Sequence, residues 1–220
     1  MEMKGMIKYD DSFLSAEEHM KVVEHCLSCF YVYGESDDYG LPPTGMISQV
    51  QARDEIFGMF KTKLKEKCSL LKEMSFYRMY VNCFAPNENP YFHVDGKGLT
   101  FLYYASDVNW ELQDGGETQF YLDGNIYGVS PIPNRLVMFD GMIKHRATTF
   151  RDRHRFTIAI KYGYEEMPVE SQITKKVIFS WQRTLLRHLI LLQEQALPYH
   201  SHKFVQSLVV IRQISRRAPI

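Results

Sequence analysis

The stretch RHRFTIAIKY, residues 153–162, decides how the rest of the chain is read. Successive side chains of a β-strand point to opposite faces, so Arg155, Thr157 and Ala159 share one face while Phe156, Ile158 and Ile160 share the other. The second face is apolar and suits packing against helices. The first sends a guanidinium and a hydroxyl inward, a bidentate clamp and one further donor for a carboxylate. This strand predicts a sheet that meets helices on one side and lines a barrel on the other.

Upstream, from Glu73 onward, the pattern stays β-like. SFYRMYVNCF, GLTFLYYAS, GETQFYL, NRLVMF and HRATTF precede RFTIAIKY, and clusters of Gly, Pro, Asn and Asp separate them. Serial strands after paired helices suggest an antiparallel sandwich or barrel, and the repeated turn signals favour a jelly roll. The fold expected is α+β with a mostly β core: a double-stranded β-helix, or jelly roll, with N-terminal helices packed on one sheet and a C-terminal helical tail.

The first helix is expected in LSAEEHMKVVEHCLSCF, where Ser15 and Glu18 form a capping-box pattern ahead of apolar Met20, Val23, Cys26 and Leu27. The second is expected from Val50 to Lys72, with Ile56, Met59, Phe60, Leu64 and Leu71 as its apolar stripe and Lys61, Lys65 and Lys72 on its wet side. Between them Tyr31 to Ser48 is rich in Gly, Pro and Asp, a long surface loop suited to covering a site. Beyond Ile173 helical spacing returns through Ile178, Trp181, Leu185, Leu189, Leu192 and Ala196 until Pro198. Two regions are therefore expected: residues 1–171 as the jelly-roll domain with its helices, and 172–220 as a basic helical tail for packing or for homo-oligomer formation.

The charge is balanced overall, with Lys+Arg and Asp+Glu both 26 among 220 residues, but it is unevenly placed. The tail carries eight basic residues against Glu194 alone, so the body is acidic. An acidic body argues against nucleic acid as a partner. MEMKGMIKYDD lacks the apolar run of a signal peptide and no stretch approaches 18 apolar residues, so no membrane association is expected and the location expected is cytoplasmic. Cys26 and Cys29, in HCLSC, have no answering Cys pair and read as helix thiols, while Cys68 and Cys83 read as packing residues.

Chemistry enters with YFHVDG, residues 91–96. On a strand His93 and Asp95 share a side and could converge on one ion, although Asp-Gly is also an ordinary turn pair. A metal needs a third ligand. His145 and His154 are the later histidines before the tail, and His145 is better placed, where LVMF runs through an Asp-Gly turn into HRATTF. Two histidines and a carboxylate on one face of iron leave three positions open, the arrangement of non-haem Fe(II) oxygenases. A 2-oxo acid fills two and dioxygen the last, and Arg155 supplies the cation for the far carboxylate.

The order HVD, GGET (residues 115–118), His145 and, ten positions later, Arg155 resembles the Fe(II)- and 2-oxoglutarate-dependent oxygenases, especially their prolyl-hydroxylase-like branch, over roughly Ser75 to Tyr164. The resemblance implies that His93, Asp95 and His145 ligate Fe(II) and that Arg155 binds the distal carboxylate of 2-oxoglutarate, assisted by Thr157. In TFLYYASDVNW it points to Tyr104, rather than Tyr103, as a hydroxyl on the same carboxylate. Where relatives carry a tyrosine before the HxD motif this chain has Phe84, and Asn82 or Tyr80 is the expected substitute. The reaction implied is hydroxylation of an unactivated C–H bond with O2, releasing succinate and CO2, with ascorbate as a supporting reductant. A prolyl or other protein residue is the implied target, and a free amino acid or other small molecule is the alternative. Two rival readings keep the fold: a metal-dependent hydrolase or isomerase, and a non-catalytic binding protein using its many aromatic residues.

Overall fold

The computed structural model describes residues 7–33, 36–37 and 40–163, so the expected tail helix, its oligomer contact and the division at residue 171 lie outside the described residues. Among the described residues there are two α-helices, α1 (Ala16–Ser28) and α2 (Glu55–Lys67), and ten strands: β1 (Ile7–Asp10), β2 (Val32–Tyr33), β3 (Met46–Gln49), β4 (Ser75–Phe84), β5 (Leu99–Tyr104), β6 (Thr118–Leu122), β7 (Asn125–Val129), β8 (Leu136–Asp140), β9 (Lys144–Ala147) and β10 (Arg155–Gly163). They form a seven-stranded sheet in the order β1-β8-β5-β10-β4-β3-β2 and a three-stranded sheet in the order β7-β6-β9. Every pairing among them is antiparallel.

Strand β10 lies inside the large sheet between β5 and β4, and its alternation divides the molecule into layers. Ile158 and Ile160 join Val81, Phe101 and Tyr103 beneath the helices, where Val22, Cys26, Ile56, Phe60 and Leu64 cover them. On the opposite face Ala159 joins Tyr80, Leu102, Tyr104, Val137 and Phe139, which meet Phe120 of the small sheet and Ile143. The Phe120 and Phe139 rings meet edge to face with centroids 5.0 Å apart, so the two sheets face one another across this second cluster. Burial of a large aromatic side chain is among the strongest single contributions a core receives, because stabilisation follows the apolar area withdrawn from water.

The capping box of α1 is present: Glu18 N donates to Ser15 Oγ at 3.2 Å and Ser15 N to Glu18 Oε2 at 2.8 Å. The apolar stripe differs from the sequence expectation. His19, Val22, Val23 and Cys26 are buried, while Met20 and Leu27 face solvent. The buried stripe follows i, i+3, i+4, i+7, and Met20 and Leu27 lie just off it. The second helix is shorter than the stretch from Val50 to Lys72, since a 3-10 turn at Ser69–Glu73 takes over its last part and carries Leu71 inward. Three strands were hidden in segments read as loops or turns. β2 and β3 lie in or beside the Tyr31 to Ser48 loop and extend the large sheet, and β7 lies beyond the Asp123-Gly124 turn.

Phe60 is fully buried, stacked on Phe13 at 6.2 Å and edge-on to Tyr103 at 5.1 Å. Phe60→Ala opens a cavity between helix and sheet, and chemical denaturation is expected to show a loss of about 3–5 kcal/mol.

Candidate metal centre and cosubstrate pocket

The YFHVDG segment is not part of a regular strand. It docks as a single antiparallel bridge: His93 N donates to His145 O at 3.0 Å, and His145 N donates to His93 O at 2.9 Å. This bridge sets the two imidazoles 4.5 Å apart, centroid to centroid. Asp95 N then donates to Gly141 O at 2.8 Å, and Gly141 N to Gly98 O at 2.9 Å. Glycine is required on both sides of this contact. Gly98 has φ +141° with the Tyr162 carbonyl where a Cβ would stand, and a Cβ at Gly141 would meet Gly96 O at 2.5 Å.

The three side chains converge. Asp95 Oδ2 lies 3.5 Å from His145 Nε2, and Oδ1 lies 3.7 Å from His93 Nε2. One ligand atom from each residue lies within 4.8 Å of the others, the one such group of three His, Cys, Asp or Glu side chains among the described residues. The Nδ1 atoms face carbonyls, His145 to Ile143 O at 2.8 Å and His93 to Tyr91 O at 3.1 Å. A proton on Nδ1 satisfies each carbonyl and leaves the Nε2 lone pair directed at the centre, the orientation a metal requires.

The protonation states fit the same use. Burial lowers the His145 pKa to about 4, with the Asp95 carboxylate opposing, so the ring is neutral near pH 7. Burial alone would raise the Asp95 pKa. The Lys161 ammonium, beside it and hydrogen-bonded to it, overcomes that and holds the carboxyl well below the usual range, so it is ionised. The two imidazoles and the carboxylate form a mixed nitrogen and oxygen donor set that suits a divalent iron.

Two groups unexpected from sequence tie Asp95 in place. The Thr100 hydroxyl donates to Oδ2 at 2.6 Å, and Lys161 Nζ donates to Oδ1 at 2.6 Å. Thr100 and Lys161 are cross-strand partners on β5 and β10, so they act as one clamp. A third unexpected group, Asp37, accepts from Tyr91 N at 2.8 Å and lies 3.5 Å from His93 Nδ1, which fastens the HxD segment to the loop before β3. Lys161 was legible, since the alternation that puts Arg155 inward puts every second residue of β10 inward. Nothing local in the sequence marks Asp37.

Arg155 begins the same inward row and is 1% exposed. Its Nε donates to Gly116 O at 2.7 Å and its Nη2 to Thr118 Oγ1 at 2.9 Å. Tyr104 closes the group: its hydroxyl donates to Thr118 Oγ1 at 2.7 Å and the guanidinium lies 5.4 Å from its ring centroid. Tyr103 points to the helix side, where its hydroxyl lies 2.5 Å from His19 Nδ1. Thr157 has Asn82 and Tyr104 as its cross-strand partners, and Asn82 Nδ2 reaches Thr157 Oγ1 at 3.5 Å. Ala159 follows, the smallest side chain of the row, and then Lys161. His154 is exposed and stands apart from both groups.

A cavity of about 250 Å³ lies against Asp95 and Lys161 and is lined also by Tyr77, Lys97, Thr100 and Tyr162. Neither histidine nor Arg155 lines it, so it opens beside Asp95 and away from Arg155. No helix among the described residues is long and apolar enough to cross a membrane.

A β protein of two facing sheets, with two histidines and a carboxylate at one place on the inner face and a buried arginine at another, has the makings of a non-haem iron oxygenase. Residues 77–162 match the model of the 2OG-Fe(II) oxygenase superfamily. The match spans most of the strand-rich part of the chain, from β4 to β10, and members of that superfamily use Fe(II), 2-oxoglutarate and O2. Solved structures similar to it include a Pseudomonas putida prolyl-4-hydroxylase, with TM-score 0.59 and 15% identity over 72% of this chain and 92% of that one. A Trichoplax adhaerens prolyl hydroxylase, in complex with a hypoxia inducible factor oxygen degradation domain peptide fragment, gives 0.60 and 18% over 76% and 87%. The viral collagen prolyl hydroxylase of Paramecium Bursaria Chlorella virus-1, in its 2OG complex, gives 0.56 and 15% over 71% and 95%. Comparison with curated protein sequences finds no match.

The clamp on Asp95 makes a prediction about stability. Asp95→Ala leaves the Lys161 ammonium buried beside no carboxylate, and denaturant unfolding of the metal-free protein is expected to show a loss of about 3 kcal/mol. Adding Lys161→Met in the same chain removes the stranded charge and recovers most of that loss.

Proposed function

We propose that His93, Asp95 and His145 hold Fe(II), that Arg155, Tyr104, Thr157 and Asn82 receive 2-oxoglutarate, and that the chain hydroxylates an unactivated C–H bond of a protein or peptide side chain, with prolyl the first choice. The observation that carries this reading is the guanidinium of Arg155. It is buried, its hydrogen bonds go to a carbonyl and a hydroxyl, and it faces the interior shared with the triad. A buried charge is costly unless an opposite charge meets it, and the distal carboxylate of a 2-oxo diacid is such a charge. A metal-dependent hydrolase or isomerase on the same scaffold would give Arg155 no such partner.

In this reading each residue has a physical task. Arg155 binds the carboxylate through a charge-assisted pair, and Gly116 O and Thr118 Oγ1 hold its fork in place. Tyr104 and Thr157 offer hydroxyls from adjacent strands, and Asn82 fills the part left by Phe84, whose ring has no donor. Ala159 leaves the row open between Arg155 and the triad. The bound iron, with its cosubstrate and O2, supplies the oxidising chemistry, and the chain supplies ligand geometry, a dry interior and orientation. The two sheets are read as the jelly roll of the superfamily, with residues 1–171 as the domain. The four free cysteines support a reducing compartment, and the cytoplasm is the location proposed. The peptide complex of the Trichoplax adhaerens enzyme supports a peptide substrate here.

Succinate release with Fe(II), 2-oxoglutarate and ascorbate, screened over proline-bearing peptides, free amino acids and nucleosides, tests the reading. Peptides are expected to stimulate it most, and stimulation by nucleosides alone would overturn the substrate class. Arg155→Leu is expected to raise the KM for 2-oxoglutarate about a hundredfold, and Asn82→Ala by roughly tenfold or less. An unchanged KM in Arg155→Leu would remove Arg155 from the cosubstrate site.

A further inference from the structure

We infer that Lys161 competes with the metal for Asp95, so that this chain sets its own affinity for divalent metal through a resident ammonium ion. The inference rests on the reading of His93, Asp95 and His145 as metal ligands. Lys161 Nζ lies 2.6 Å from Asp95 Oδ1, and His93 Nε2 approaches that same oxygen at 3.7 Å. An ion shared by the three ligands therefore stands close to the ammonium, and both cations draw on one carboxylate. Like charges at such a distance repel strongly where burial has removed water, and here Asp95 is 5% and Lys161 15% exposed in their side chains. The Thr100 hydroxyl, by contrast, fixes Oδ2 without adding charge.

Lys161 has somewhere to go. Its ammonium also hydrogen-bonds the Tyr80 hydroxyl and lies 5.2 Å from that ring's centroid. The cavity of about 250 Å³ lies on the same side of the carboxylate. The lysine can yield Asp95 to a metal while keeping Tyr80 and gaining room, although it gives up its close contact with the carboxylate. Thr100 and Lys161 therefore divide two tasks that a single clamp would otherwise combine: the hydroxyl orients the carboxylate, and the ammonium weakens its hold on a second cation.

The test is titration with Co(II) alone, followed by its visible absorption, for wild type, Lys161→Met, Lys161→Gln and Thr100→Val. Lys161→Met is expected to bind Co(II) at least about tenfold more tightly than wild type, because a positive charge next to the ion is gone. Lys161→Gln keeps a hydrogen-bond donor without the charge and should tighten binding too, which covers the case in which the methionine variant does not fold. Thr100→Val should bind more weakly, since orientation is lost and no charge is removed. The rise in Tm that Co(II) produces should be larger in Lys161→Met than in wild type, because the metal becomes the main counter-ion of Asp95. Equal or weaker Co(II) binding in both Lys161 variants, with stoichiometric binding intact in wild type, would overturn the inference and leave the metal-site reading standing. Absence of stoichiometric Co(II) binding in wild type and in both Lys161 variants alike would overturn both.

Discussion

An interior strand has two faces and no others, and β10 uses them for opposite purposes. Flanked by β4 and β5, it turns Ile158 and Ile160 to the helices and Arg155, Thr157 and Lys161 to the interior between the sheets. The apolar face fixes the register, because sliding by one residue would drive the charges under the helices and the isoleucines into the pocket. With that register set, the rows of the pocket follow across the sheet. Asn82, Thr157 and Tyr104 stand side by side, and six residues along β10 from Arg155, Lys161 stands beside Thr100.

Three ionised groups on one inner face need an electrostatic account. Asp95 has Lys161 and the Thr100 hydroxyl, so its charge is met inside the fold. Arg155 donates to neutral acceptors beside an aromatic ring, and the Glu117 carboxylate acts on it through its field, an arrangement that orients the guanidinium well and compensates it only in part. The difference separates structural from functional charge in one chamber. A pair that closes on itself belongs to the resting fold, while a charge without a close counter-ion is the one proposed here to meet a ligand.

The site was legible in the sequence to the extent that it depends on period two. Arg155, Thr157, His93 and Asp95 could be assigned to faces from spacing, and Tyr104 could be separated from Tyr103 only through the superfamily resemblance, since either tyrosine could have pointed inward. The neglected signal was Lys161, which the same alternation places inside. The limits appear where the backbone is irregular. β2 and β3 lie in a region rich in Gly, Pro and Asp, and β7 follows a turn with an aspartate at φ +51°, so local composition conceals pairings that neighbouring strands impose. In α1 Val22 and Leu27 stand about 140° apart around the helix, and the sheet beneath decides which of them is buried.

The sequence by itself determined which residue types could do the chemistry, the alternation of β10, the capping of α1 and the mostly β character of the chain, because these depend on local periods and on side-chain chemistry. Tertiary structure alone decided that His93 meets His145 through a two-hydrogen-bond bridge, that Asp37 fastens the HxD segment and that Asp95 is shared with Lys161. The physical reason is the range of the forces involved. Strand alternation and helix capping act over a few residues, whereas a buried carboxylate takes its counter-ion from whatever strand the sheet sets next to it, here from a residue 66 positions further along the chain.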